Sequence, residues 1–194
     1  MREAEVQRST GETRVRLNLN LDGGPVQIDT GLAFFDHMLA QLARHGGLGL
    51  AVAAQGDLQV DGHHLVEDVG LCLGEALHAA LGDRSGISRF GEAHVPMDET
   101  LVRVVVDLSG RPWCRYDACL PHLILGNGFY PELAREFFIA LAQRGGFNLH
   151  AAVLYGENTH HQLEALFKAL ALALRRAVKR EGEGVPSTKG TLIV

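Results

Sequence analysis

The chain has 194 residues, 46% of them hydrophobic, and 23 acidic against 18 Lys and Arg side chains give a formal net charge of −5. Such a length and composition fit one large domain or two small ones with a real core, and the acidic balance excludes a general nucleic-acid binder, whose affinity rests on a basic surface. Cys72, Cys114 and Cys119 form no CxxC pair. With no leader sequence and no apolar run near the roughly 18 to 20 uncharged residues of a membrane span, the expectation is a cytoplasmic protein with reduced thiols.

Val15, Leu17, Leu19 and Leu21 alternate with Arg16, Asn18 and Asn20, the period of a half-buried strand, and Asp22-Gly23-Gly24-Pro25 is its turn. Phe35, Met38, Leu39 and Leu42 then recur at helical spacing, and Gly46-Gly47 predicts the stop, because glycine takes a left-handed cap most easily. Leu48 to Ala54 and Asp57 to Val60 read as short strands. Val66, Val69, Leu73, Leu77 and Leu81 form the stripe of a second helix, so this half reads roughly β-β-α-β-β-α.

The order repeats. Glu12-Thr13-x-Val15-Arg16 and Leu21-x-Gly23-x-Pro25 parallel Glu99-Thr100-x-Val102-Arg103 and Leu108-x-Gly110-x-Pro112, and His37 to Gly47 parallels Glu136 to Gly146. The boundary falls near residue 92. The expectation is an α+β fold of two tandem-duplicated halves, 1–92 and 93–194, joined in one compact unit.

His-His-x-x-Glu occurs twice, as His63, His64, Glu67 and as His160, His161, Glu164, each time opening a helical stripe. Each glutamate shares a helix face with a histidine three or four positions earlier, so the two can hold one cation. Adjacent histidines point about 100° apart and serve different ions more easily, which predicts a two-metal protein. His37 and Glu136 occupy matching places in the first turn of each half's first helix. Together these are eight ligand candidates: His37, His63, His64, Glu67, Glu136, His160, His161 and Glu164. Imidazole and carboxylate without thiolate favour Mn²⁺, with Zn²⁺, Fe²⁺ or Co²⁺ as competitors. A lone histidine is more often structural than a ligand, which is the reading of His45, His78, His94 and His122; His150 lies on the polar face of its strand and stays outside the ligand set. Pro186-Ser187-Thr188-Lys189-Gly190 offers hydroxyls, an ammonium and turn N–H groups, and Arg89 and Arg111 sit in glycine-flanked turns where a guanidinium can reach a phosphate.

Phe34-Phe35-Asp36-His37-Met38-Leu39, Asp61-Gly62-His63-His64-Leu65-Val66-Glu67-Asp68, the stretch from Gly156-Glu157-Asn158-Thr159-His160-His161 to Phe167-Lys168-Ala169, and Pro186-Ser187-Thr188-Lys189-Gly190 stand in the order of one family's signatures. Over nearly its whole length the chain resembles imidazoleglycerol-phosphate dehydratase of histidine biosynthesis. The resemblance implies a ribosomal protein S5 domain 2-like fold, with sheets packed against helices. It also implies a di-manganese lyase, a hydro-lyase converting D-erythro-imidazole-glycerol phosphate to imidazole-acetol phosphate, as a homo-oligomer of twenty-four subunits built from trimers. It assigns all eight ligands to metal positions, although some members have histidine where Glu136 stands. Glu12, His37, His63, Arg89, Arg111, His161, Lys168, Ser187, Thr188 and Lys189 match substrate-contacting positions, the arginines, hydroxyls and Lys189 serving the phosphate. Glu12, Glu67 and Glu164 are the catalytic carboxylates it implies. The expected mechanism binds the substrate ring as an imidazolate on two Mn²⁺ ions so that it expels the neighbouring hydroxyl as water, with Glu12 shuttling protons. A dinuclear phosphoester hydrolase and a metal store are the competing classes; a store needs no convergence of Arg89, Arg111 and Lys189.

Overall fold

The computed structural model of the chain describes residues 2–192. Residues 1, 193 and 194, the outer ends of the two expected halves, lie outside that description. The first half contains β1 (Glu3–Ser9), β2 (Thr13–Asn20), β3 (Val26–Asp29), α1 (Ala33–Gly46), β4 (Gly49–Gly56) and α2 (His63–Leu81). The second contains β5 (Phe90–Met97), β6 (Thr100–Asp107), β7 (Trp113–Asp117), α3 (Pro131–Gly145), β8 (Asn148–Tyr155) and α4 (Thr159–Ala177). The fold is α+β in two halves, each a four-stranded sheet with two helices.

The sheets have matching orders, β1-β2-β4-β3 and β5-β6-β8-β7. All pairs are antiparallel except β3 with β4 and β7 with β8. Parallel neighbours cannot be joined by a hairpin, so α1 and α3 are the crossovers between them. β3 and β4 run the same way, so α1 and α2 both begin at one end of their sheet, as α3 and α4 do at the corresponding end of theirs.

Alternation builds each sheet's inner face. β2 buries Thr13, Val15, Leu17 and Leu19, and β6 buries Thr100, Val102, Val104 and Val106, leaving Arg14, Arg16 and Arg103 outside. The helices lie between the two inner faces, α1 against α4 and α2 against α3. An aromatic cluster of Phe35, Phe129, Phe137, Phe138 and Phe167 joins the halves, all five buried. The α2–α3 contact is closer than side chains would allow: a Cβ on Gly74 would lie 2.6 Å from the Leu141 carbonyl oxygen and 2.7 Å from the Gly145 nitrogen.

Both helix-stop glycines behave as expected, Gly47 and Gly146 capping α1 and α3 at φ 67° and 61°. The order β-β-α-β-β-α is corrected to β-β-β-α-β-α. Asp57 to Val60 is a turn closed by the Val60 N–H on the Asp57 carbonyl at 2.7 Å; the β2–β4 ladder ends at Thr13 and Gly56, leaving no strand for this segment to pair with. The added strands are the edges β1 and β3, where Val6 and Ile28 are only half-buried and the alternation is correspondingly faint.

Candidate functional site

α1 and α4 both start at the same end of the molecule, and their first turns meet. The His37 Nε2 and the His160 Nε2 each lie 3.0 Å from the Glu164 Oε2. Among the described residues this is the one group of three histidine, cysteine or acidic side chains whose donor atoms gather within 4.8 Å of one another. Glu164 is buried, with 8% of its side chain exposed, and its other oxygen takes the Lys168 ammonium at 2.6 Å. Burial pushes its pKa up, but Lys168, His37 and His160 outweigh that and hold it at about 2. The carboxylate therefore stays ionised. His37 and His160 remain 43% exposed, so the cluster opens to solvent.

The paired histidines diverge as consecutive helical positions must: the rings of His63 and His64 lie at 90°, those of His160 and His161 at 82°. The first turn of α4 is fixed by Asn158, whose side-chain oxygen accepts the N–H groups of His160 and His161 at 2.9 and 3.2 Å. In α2 the Asp61 side chain accepts the His63 N–H at 2.8 Å.

The second histidine of each pair turns its Nδ1 to a carboxylate. His64 Nδ1 lies 3.0 Å from Asp57 Oδ2, a bond that raises the imidazole's pKa, and Glu12 Oε2 is 3.8 Å away. His161 Nδ1 lies 2.9 Å from Glu99 Oε2. The Glu99 carboxyl is held well below the usual range, first by the Asn158 N–H and then by His161 and Thr100. The Glu12 loop is tied to α2 through Asp68, which accepts from Arg8 Nε at 2.6 Å and from the Thr13 hydroxyl.

The remaining candidates are looser. His63 and Glu67 stand 3.9 Å apart on α2, each nearly half-exposed, and Glu136 on α3 pairs with Arg135 at 3.0 Å. The structure thus gathers three of the eight ligand candidates and leaves the other five outside that cluster. His45 is partly buried beside Gln41, His78 bonds the buried Arg84, and His122 pairs with Glu132, while His94 and His150 are exposed on their strands.

The anion candidates converge elsewhere. Arg89, Ser109, Arg111, Pro186, Ser187, Thr188 and Lys189 line one open pocket. Arg89 sits at φ 71°, and its guanidinium is oriented by Asp107 at 2.7 and 3.1 Å and by the Pro186 carbonyl at 2.9 Å. This pocket lies at the far end of the second sheet. Glu99 and Asp107, which mark the two places, bracket β6 and are eight residues apart, about 26 Å in an extended strand. Along α4, the 13 residues from Glu164 to Ala177, whose carbonyl accepts the Arg89 N–H, span about 20 Å.

Sequence reasoning did not single out Asp57, Glu99, Asn158 or Asp68. Asn158 carried a usable signal, an N-cap residue two places before the histidine pair. Asp57 carried none, since its role depends on a turn that brings it back to His64.

The family model described as imidazoleglycerol-phosphate dehydratase matches residues 30–174. The imidazoleglycerol-phosphate dehydratase of Lacticaseibacillus casei is 56% identical over 99% of this chain and 100% of its own length. That of Halorhodospira halophila is 54% identical over 98% of each chain. A crystal structure of the enzyme of that name from Staphylococcus aureus matches with a TM-score of 0.84 at 38% identity, covering 92% of this chain and 99% of the other. One from Pyrococcus furiosus matches with a TM-score of 0.84 at 40% identity, covering 96% and 99%.

Proposed function

The chain belongs to the imidazoleglycerol-phosphate dehydratase family, and on that premise we propose that it removes water from D-erythro-imidazole-glycerol phosphate to give imidazole-acetol phosphate in L-histidine biosynthesis, with two Mn²⁺ ions per chain as cofactor. The observation that carries the reading is the convergence of His37 and His160, from opposite halves, on the buried carboxylate of Glu164. Nitrogen and oxygen donors without thiolate suit a borderline-to-hard cation, Mn²⁺ before Zn²⁺, Fe²⁺ or Co²⁺. Their 3.0 Å spacing is that of neighbouring ligands on bonds of about 2.0–2.2 Å. His37, His63, His64, Glu67, Glu136, His160, His161 and Glu164 would hold the two ions. When bound, manganese supplies the Lewis acidity by which the substrate's imidazole ring gives up its N–H proton.

The protein's own groups do the rest. Glu164 remains ionised beside the cations, Glu67 is the matching carboxylate of α2, and His37, His63, His161 and Lys168 border the substrate. Glu12, whose side chain is 57% exposed and free of a hydrogen bond to His64, carries the proton between the substrate carbon and the departing hydroxyl. Arg89 and Arg111, with Ser187, Thr188 and Lys189, bind the phosphate. The separation of about 20 Å or more between the two clusters far exceeds the three-carbon chain joining ring to phosphate. One copy cannot use both of its own clusters on one substrate, which supports homo-oligomeric sites completed by a second copy, in particles of trimers and, by family likeness, twenty-four subunits. No helix among the described residues is long and apolar enough to cross a membrane, and three free cysteines accord with a cytoplasmic location.

The deciding experiment follows water loss from imidazole-glycerol phosphate with and without Mn²⁺, with metal content and phosphate release measured on the same sample. About two Mn²⁺ per chain, activity lost on chelation and restored by Mn²⁺, and no phosphate released are the expected results. Phosphate release without ketone formation would instead mark a phosphoester hydrolase.

A further inference from the structure

His64 and His161 occupy the same place in the two halves, yet the carboxylates that hold them come from different places. Asp57 follows β4 directly, and its two oxygens lie 3.0 and 3.2 Å from His64 Nδ1. The residue in that position after β8 and a glycine is Glu157, which contributes only its backbone N–H, given to Glu99. Glu99 directly precedes β6 and lies 2.9 Å from His161 Nδ1, whereas Glu12, directly preceding β2, stops 3.8 Å short of His64 Nδ1. The halves have exchanged acceptors. One half uses the carboxylate after the fourth strand and leaves free the one before the second; the other half does the opposite.

We infer that Asp57 and Glu99 are positioning residues that lock His64 and His161 in the tautomer protonated on Nδ1, leaving each Nε2 lone pair for a divalent cation, since the Asp98 carboxylate stands 3.9 Å from His161 Nε2, beyond hydrogen-bond reach, and that the exchange is what leaves Glu12 free to move protons. An ionised carboxylate only accepts, so the imidazole nitrogen facing it must carry the hydrogen, and a neutral ring then offers its other nitrogen as a lone pair. Glu99 cannot turn away. Its Oε1 already accepts from Thr100 Oγ1 at 2.9 Å and from the N–H groups of Glu157 and Asn158 at 3.1 and 2.8 Å, so only Oε2 is left for the ring. Among the described residues Asp57 has no comparable second set of donors.

That difference makes the two amide variants diverge. In Glu99→Gln the amide oxygen must stay with its three donors, which points the NH₂ at His161 Nδ1 and moves the ring proton to Nε2. In Asp57→Asn the amide can present its oxygen, and His64 keeps its form. The inference rests on reading both histidines as ligands, so the test separates the two ideas. Full-length metal-free protein with ¹⁵N-labelled histidine is compared by solid-state NMR, with His161→Asn assigning the resonance. We expect Glu99→Gln to convert His161 to the Nε2-protonated form and to weaken Mn²⁺ binding roughly tenfold or more, while Asp57→Asn leaves His64 unchanged. An unaltered His161 tautomer in Glu99→Gln, or Mn²⁺ affinity within about twofold of wild type, overturns the inference. The tautomer is read without metal, so a wild-type chain that bound no Mn²⁺ would remove the proposed cofactor while the spectra still decided the role of Glu99.

Discussion

In its proposed role Glu12 has to change partners during the reaction; its side chain is 57% exposed, with His64 as its near neighbour at 3.8 Å. Glu12→Gln keeps the size and removes the proton transfer. Turnover should fall by about 10² to 10⁴ while Mn²⁺ content stays at the wild-type value, and a near-normal kcat would take Glu12 out of the role. Glu164 is placed for the reverse, permanent ionisation. Its folded pKa of about 2 lies below the ordinary 4.5, so its stabilising contribution is complete above the higher value and is lost as pH falls toward the lower. In metal-free protein the gap in urea midpoint between wild type and Glu164→Gln should narrow as the pH drops from 4.5 to about 2. A gap independent of pH would mean that ionised Glu164 adds nothing to stability.

The helices carry the ligand candidates, so how closely they pack governs where those side chains stand. α2 approaches α3 through Gly70 and Gly74, and the two nearest neighbours a Cβ would meet at Gly74 are backbone atoms that cannot swing aside. Gly74→Ala should lower stability by about 1–3 kcal/mol, read from the urea midpoint, by forcing the two helices apart. A midpoint equal to wild type would mean that the helices tolerate separation. The strongly patterned elements, β2, α1 and α2, were legible in the sequence because each has one fully buried face and one wet one. β1 and β3 were faint because they are sheet edges with half-buried side chains. Asp57 to Val60 carried two apolar residues at strand-like spacing, but Val60 is 66% exposed and nothing lies beside it to pair with.

If the His37–His160–Glu164 cluster and the Arg89–Lys189 pocket serve one substrate, as proposed, an active particle needs at least two copies to make one complete site. His160→Ala and Arg111→Ala should each abolish activity alone, and co-assembled particles should regain about a quarter of wild-type sites, because His160 and Arg111 can then come from different intact copies. No recovery on co-assembly would place both groups in one chain's site. Burial also sorts the thiols: desolvation pushes both Cys72 and Cys114 up to about 11, and Cys119 is exposed. No more than one cysteine per native chain should react with a thiol reagent at neutral pH, against three after denaturation. Rapid labelling of a second one would contradict the packing of α2 or β7. Residue order alone was enough for the two-half organisation, the helix stops and the divergence of adjacent histidines, since each follows from spacing along the chain. Only the folded chain could select His37 as the partner of Glu164, 127 positions away, assign Asp57 and Glu99 to their histidines, and set the Arg89–Lys189 pocket apart from the His37–His160–Glu164 cluster. Those relations run between elements, where distance is set by helices packing across two sheets and leaves no period in the sequence.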